Sequence, residues 1–96
     1  MADWRREARA ALFGYAKAKR RGEDTSAVDL ALAMQDRYYN AAARRRMVDL
    51  VYIQRTHTLA GAAVDVGYSI ETVRKWNVEL LAAVGAGMMY EKGPGD

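Results

Sequence analysis

In residues 59–78, LAGAAVDVGYSIETVRKWNV, small, turn-forming and apolar residues stand at the offsets that two short helices joined by a tight turn require. The first helix must approach the second closely, and Ala63 supplies a small residue near its middle. Four residues later the chain has to reverse with a backbone conformation that glycine adopts without Cβ strain, and Gly67 stands there. Thr58 is placed to cap the first helix, and Ser69 to cap the second, each offering a hydroxyl to an orphan backbone N–H. Val73 and Trp76 then face back onto the first helix, with Ala62, Val66 and Tyr68 completing a small core. The second helix keeps a 3.6-residue period through Ile70, Val73, Trp76, Asn77, Leu80, Leu81 and Val84, and Asn77 is its one polar member.

Working toward the N-terminus, helical spacing persists and strand-like alternation is nearly absent. Asp3 is a candidate cap for a first helix to about residue 19, with Trp4, Ala8, Ala11, Leu12 and Tyr15 as its apolar stripe. Gly14 inside it costs about 1 kcal/mol relative to alanine, so packing must hold the helix there or it bends. Lys17, Lys19, Arg20 and Arg21 crowd its last turn, and Gly22 stops it. Asp24 or Thr25 is expected to cap a second helix over 26–39. One stripe of this helix is Ala27, Leu30, Ala31, Met34 and Tyr38, and a second is Val28, Leu32 and Tyr39. Asn40 is the candidate cap of a third helix over 41–53. The last helix is expected to end near Val84, leaving a glycine-rich stretch, GAGMMYEKGPGD, that loosens after Tyr90. The expected architecture is therefore all-α with five helices: an N-terminal segment over 1–40, a module over 41–87 and a flexible tail over 88–96.

Ninety-six residues, 51% apolar and 28% charged, suffice for one core but not for a core and a deep cleft. The absence of cysteine excludes disulfides, cysteine-ligated zinc, iron–sulfur clusters and thiol nucleophiles. His57, the single histidine, excludes a multi-histidine metal site and is expected in a surface or packing role. No spacing suggests a nucleophile and base, so no catalytic residue, metal or cofactor is expected. No run of about 18 apolar residues occurs, so no membrane span is expected. The charged start MADWRREARA argues against a secretory signal, which makes a cytoplasmic location the expectation. The net charge of +3 is unevenly placed. Residues 1–55 carry 12 Lys/Arg against 7 Asp/Glu, and residues 56–96 carry 3 against 5, so a polyanion is drawn mainly to the N-terminal half.

The positions Ala63, Gly67, Val73 and Trp76 match the small, turn and two apolar positions of a helix-turn-helix. The longer stretch RRRMVDLVYIQRTHTLAGAAVDVGYSIETVRKW resembles the region 4 module of bacterial sigma factors, in which a helix ending in a V-x-L-x-Y-type run precedes the helix-turn-helix. It is similar above all to the small phage-encoded transcriptional activators of the RinA and ArpU type. The resemblance covers about residues 41–84, and Ala41–Ala43 stand where the sigma module often opens with Leu-Pro. It implies a sequence-specific DNA-binding transcriptional regulator, phage or prophage encoded, acting on double-stranded DNA, with RNA polymerase a further partner and a homodimer pairing two recognition helices about one DNA turn apart. On that basis the helix after Ser69 would enter the major groove. Arg74 would read guanine, Glu71 cytosine N4, and Ser69 or Thr72 a base or phosphate, with Lys75 alongside. Thr58, Arg44, Arg45, Arg46 and Arg55 would contribute phosphate contacts. Two other readings use the same fold. One is a helix-turn-helix that docks on RNA polymerase or another phage protein, favoured by a recognition helix with only two cations. The other is a DNA-packaging or replication adaptor.

Overall fold

The computed structural model describes residues 4–91, and every regular element among them is helical. Helix α1 (Trp4–Phe13) follows the expected stripe, with Ala8 and Leu12 fully buried. At Gly14 the single helix expected to residue 19 divides into α1 and α2 (Tyr15–Arg20). Gly14 N–H donates to Ala10 O and Ala18 N–H to Gly14 O, both at 2.9 Å, but Gly14 itself is a turn between the two helices. The glycine thus interrupts the helix at φ −89°, ψ −1°. The proposed cap Asp3 lies outside the described residues. After α2, Gly22 takes a left-handed φ of 72°, and Glu23 N–H closes the turn on Ala18 O at 3.0 Å.

Thr25 stands at the cap position of helix α3 (Ser26–Gln35) without a side-chain capping bond, and the Asp24 carboxylate accepts from Ser26 N–H at 3.0 Å. Thr25 Oγ1 instead donates to Asp29 at 2.8 Å. Asp29 also accepts from Tyr15 Oη at 2.5 Å and Lys19 Nζ at 3.0 Å, which ties α2 to α3 and holds its carboxyl at about 2, well below the usual range. The helix stops at Gln35, not at 39, and residues 36–40 form consecutive three-residue turns. The cause is Arg44, described below, which draws Gln35, Tyr38 and Asn40 around one guanidinium. The two expected stripes are corrected accordingly. Ala27, Val28, Ala31, Leu32 and Gln35 form the buried face, whereas Leu30, Met34, Tyr38 and Tyr39 are exposed.

Helix α4 (Ala41–Val48) passes into a π-helical turn, Asp49–Ile53. Its wider winding, closed by Gln54 N–H on Asp49 O at 2.7 Å, turns the consecutive Leu50, Val51 and Tyr52 all into the core. Helices α5 (Leu59–Val66) and α6 (Ile70–Glu91) complete the chain. The last helix is longer than expected. It runs past Val84 through Met88, and only residues 92–96 of the expected tail lie outside the described residues.

Gly85 and Gly87 account for that length. They project from nearly opposite sides of α6. A Cβ on Gly85 would lie 2.6 Å from Trp4 Cε3, and one on Gly87 3.1 Å from Ala27 Cβ. Missing side chains let α1 and α3 close on α6 from both sides, so these glycines are packing residues within a helix. One core results. Ala8, Leu12, Val28, Ala31 and Leu32 from the N-terminal segment join Met47, Leu50, Tyr52, Ala63, Val73, Trp76, Leu80 and Val84. Burial of side chains such as Leu12, Val73 and Leu80 contributes roughly 1.5–3 kcal/mol each. The polar member of the α6 stripe is satisfied: Asn77 accepts a hydrogen bond from buried Tyr52 Oη. No helix is long and apolar enough to cross a membrane, among the described residues.

Candidate nucleic-acid interface

The α5–α6 pair is built by local chemistry at three residues. Thr58 Oγ1 accepts from Gly61 N–H at 3.1 Å, capping α5. Gly67 ends α5 with φ 78°, and both Gly67 N–H and Tyr68 N–H donate to Ala63 O, at 3.0 and 3.2 Å. Any side chain at Gly67 would meet open space, so the left-handed backbone alone demands glycine there. Ser69 Oγ accepts from Thr72 N–H at 3.2 Å and lies 2.9 Å from Thr72 Oγ1, starting α6. Across the angle between the helices, Ala62 and Ala63 are buried against Val73 and Trp76, and Tyr68 meets Trp76 edge-on at 4.7 Å.

This packing fixes which residues of α6 turn outward. Ser69, Glu71, Arg74, Lys75 and Val78 are exposed, and Thr72 is half-buried. Arg74 and Lys75 enter no ion pair among the described residues. The outward face therefore offers two uncommitted cations, one carboxylate and two hydroxyls along the first two turns of a capped helix. Two exposed apolar residues accompany them, Val78 on α6 and Val64 on α5, the latter 84% exposed.

The arginine run divides three ways. Arg44 is withdrawn from the phosphate contacts, because its side chain is only 6% exposed. Its guanidinium donates to Gln35 Oε1 at 3.1 Å, Asn40 Oδ1 at 2.9 Å and Glu79 Oε1 at 3.2 Å. It also lies 3.6 Å from the Tyr38 ring centroid and 5.3 Å from that of Trp76. A cation so enclosed is an internal strut. Arg45 is exposed and reaches Leu32 O at 3.2 Å and Asp36 at 3.6 Å. Arg46 bridges α4 to α5 through Asp65 at 3.2 Å, with Asp49 at 3.9 Å. Such surface pairs are weak, so both guanidinium groups remain open to competing anions. The inward turn of Arg44 had a signal: it stands at the i, i+3, i+4, i+7 spacing with buried Met47, Val48 and Val51.

Arg55 occupies a left-handed conformation, φ 60°, between the π-helical turn and Thr58, and its guanidinium lies 5.0 Å from the Phe13 ring centroid. His57 contacts Thr56 Oγ1 through Nδ1 at 2.9 Å and packs beside Gly61. Among the described residues no three histidine or carboxylate side chains converge as a metal cage. The chain matches no protein-family model, no curated protein and no solved structure.

Proposed function

We propose that this chain is a sequence-specific DNA-binding regulator of transcription that uses α5 and α6 as a helix-turn-helix of the sigma region 4 kind. The observation that carries this reading is the outward row Ser69, Glu71, Arg74 and Lys75 on a Ser69-capped helix set against α5 by left-handed Gly67. In the major groove Arg74 reads guanine O6 and N7, Glu71 accepts from cytosine N4, and the two hydroxyls reach a base or a phosphate. Thr58 and the N-terminus of α5 hold a phosphate, joined by Arg46, Arg45 and Arg55. The resemblance to phage activators of the RinA and ArpU type supports a phage or prophage origin, and a two-fold dimer would pair two such helices on a palindromic site.

Arg74→Ala tests this role. On a duplex site selected by the protein, it weakens specific binding by about 1–3 kcal/mol and relaxes preference at one position, with the fold intact. Unchanged specific affinity would contradict it.

A second reading is favoured by exposed apolar residues on α5 and α6. Val64 and Val78 are 84% and 61% exposed, and apolar surface of this kind suits docking on RNA polymerase or another phage protein. Binding through it is nearly independent of salt, whereas DNA binding weakens steeply as salt rises.

A further inference from the structure

Where α1 and α2 divide at Gly14 lies an open cleft of about 510 Å³, lined by Ala10, Phe13, Ala16, Lys17, Arg20, Ile53 and Arg55 with Gly14 itself. Its charge is of one sign: three cations and no carboxylate. None of Lys17, Arg20 and Arg55 forms an ion pair among the described residues. The neighbouring cleft of about 400 Å³ is a useful contrast. There Lys19 lies against Asp29 and Arg45 against Asp36, and Asp49 lines the wall, so carboxylates accompany its cations. Arg20 lines both clefts, but only in the first does it stand among unpaired cations.

The backbone adds a second, independent observation. Arg55 is the one non-glycine residue with positive φ among the described residues, a conformation that residues bearing a Cβ seldom adopt. It holds the guanidinium over the face of Phe13, whose ring packs at 4.8 Å from Tyr52 and is thereby fixed to the core. A cation so placed lines the same cleft as Lys17 and Arg20 of α2. Like charges gathered around an apolar floor repel one another and are relieved by an anion.

We infer that this cleft is a phosphate-backbone clamp for duplex DNA, formed by Lys17, Arg20 and Arg55 and separate from the base-reading face of α6. The inference rests on the DNA-binding reading above and supplies what that reading lacks: a recognition helix with two cations is anchored by a second set contributed by the N-terminal helices. Arg55 connects the two, because it stands three residues before Thr58, the cap of α5. Such contacts fix register on the duplex without reading sequence.

The test is fluorescence anisotropy of a labelled random-sequence duplex and a selected duplex across a salt series. The proteins are wild type, Arg74→Ala, and the triple variant Lys17→Ala/Arg20→Ala/Arg55→Gly. Glycine at 55 accepts the left-handed backbone, so the variant loses the cation without strain, and its melting curve confirms the fold. The clamp predicts that the salt slope of log affinity falls by between two and three, about 0.9 for each neutralised phosphate, and that both duplexes weaken alike. A folded triple variant whose slope stays within about half a unit of wild type overturns the clamp. If Arg74→Ala lowers discrimination in that case, the α6 reading survives alone. If the triple variant loses slope while Arg74→Ala keeps full discrimination, the clamp stands and base reading by α6 fails. Failure of wild type to bind either duplex at about 20 mM salt overturns both. Loss of self-association in the triple variant with no change in DNA slope would instead assign the cleft to an acidic surface of a second copy.

Discussion

Replacing Arg44 with methionine keeps a stem of similar length in the core but removes the guanidinium that joins α3, α4, α6 and the turn at 36–40. Three acceptors lose a donor: Gln35 Oε1, Asn40 Oδ1 and Glu79 Oε1. Gln35 is only 3% exposed, so its oxygen has no water to replace the lost bond. Removing one partner of a buried ion pair costs about 3–5 kcal/mol. The Glu79 side chain is 34% exposed and recovers part of its hydration, which lowers the expected loss to about 2–4 kcal/mol. In a chain of this length 1 kcal/mol corresponds to roughly 4–8 °C, so the melting temperature falls by about 8–32 °C. Urea and thermal unfolding followed by tryptophan fluorescence read the change directly, since Trp76 lies beside the guanidinium. Arg44→Lys recovers only a minor part, because an ammonium cannot serve three acceptors and lie flat on Tyr38. A double-mutant cycle with Glu79→Gln isolates the pair and gives about 0.5–3 kcal/mol of coupling. Stability of Arg44→Met within about 1 kcal/mol of wild type would refute the strut and return Arg44 to the surface.

Two further predictions concern other joints of the fold. Gly85→Leu gains helix propensity yet loses about 1–3 kcal/mol, because its Cβ is driven against the Trp4 ring; Trp4 emission shifts to the red as α1 is displaced, and unchanged emission in a stable variant contradicts the close approach. Asp29 is held at about 2 by hydrogen bonds from Tyr15, Lys19 and Thr25, below its unfolded value of about 3.9. Its contribution is complete above that unfolded value and disappears as pH falls from about 4 through 2. Acid titration of stability should show this loss in wild type and a flatter limb in Asp29→Asn; coincident acid limbs would remove Asp29 from the account.

The parts of the fold that were legible in the sequence are those fixed within a few residues. Thr58, Gly67 and Ser69 act on backbone groups no more than four positions away, and their bonds are the expected ones. The helical class followed from apolar periodicity, and Gly14, the costly residue, is where the first helix divides. What failed depends on partners distant in sequence. The end of α3 at Gln35 and the turns after it answer to Arg44, which is itself anchored by Glu79, 35 residues further on. Gly85 and Gly87 look locally like the start of a loose tail, and only the arrival of Trp4 and Ala27 makes them helix-packing positions. The exposure of Leu30 and Met34 has the same origin, since α6 takes the other face of α3. For the candidate interface, composition placed Arg74 and Lys75 correctly on the outer face, but three consecutive arginines could not be sorted by charge alone. The grouping of Lys17, Arg20 and Arg55 in one cleft brings together α2 and the left-handed Arg55, 35 residues beyond Arg20, and is not periodic in the sequence.

The central claim is that α6 reads base sequence, and parallel selections from a random duplex pool with wild type and Arg74→Ala test it most directly. The account predicts that wild type enriches a motif containing guanine and that Arg74→Ala loses preference at one position of the same motif. No enrichment by wild type, or an identical motif from both proteins, would contradict it.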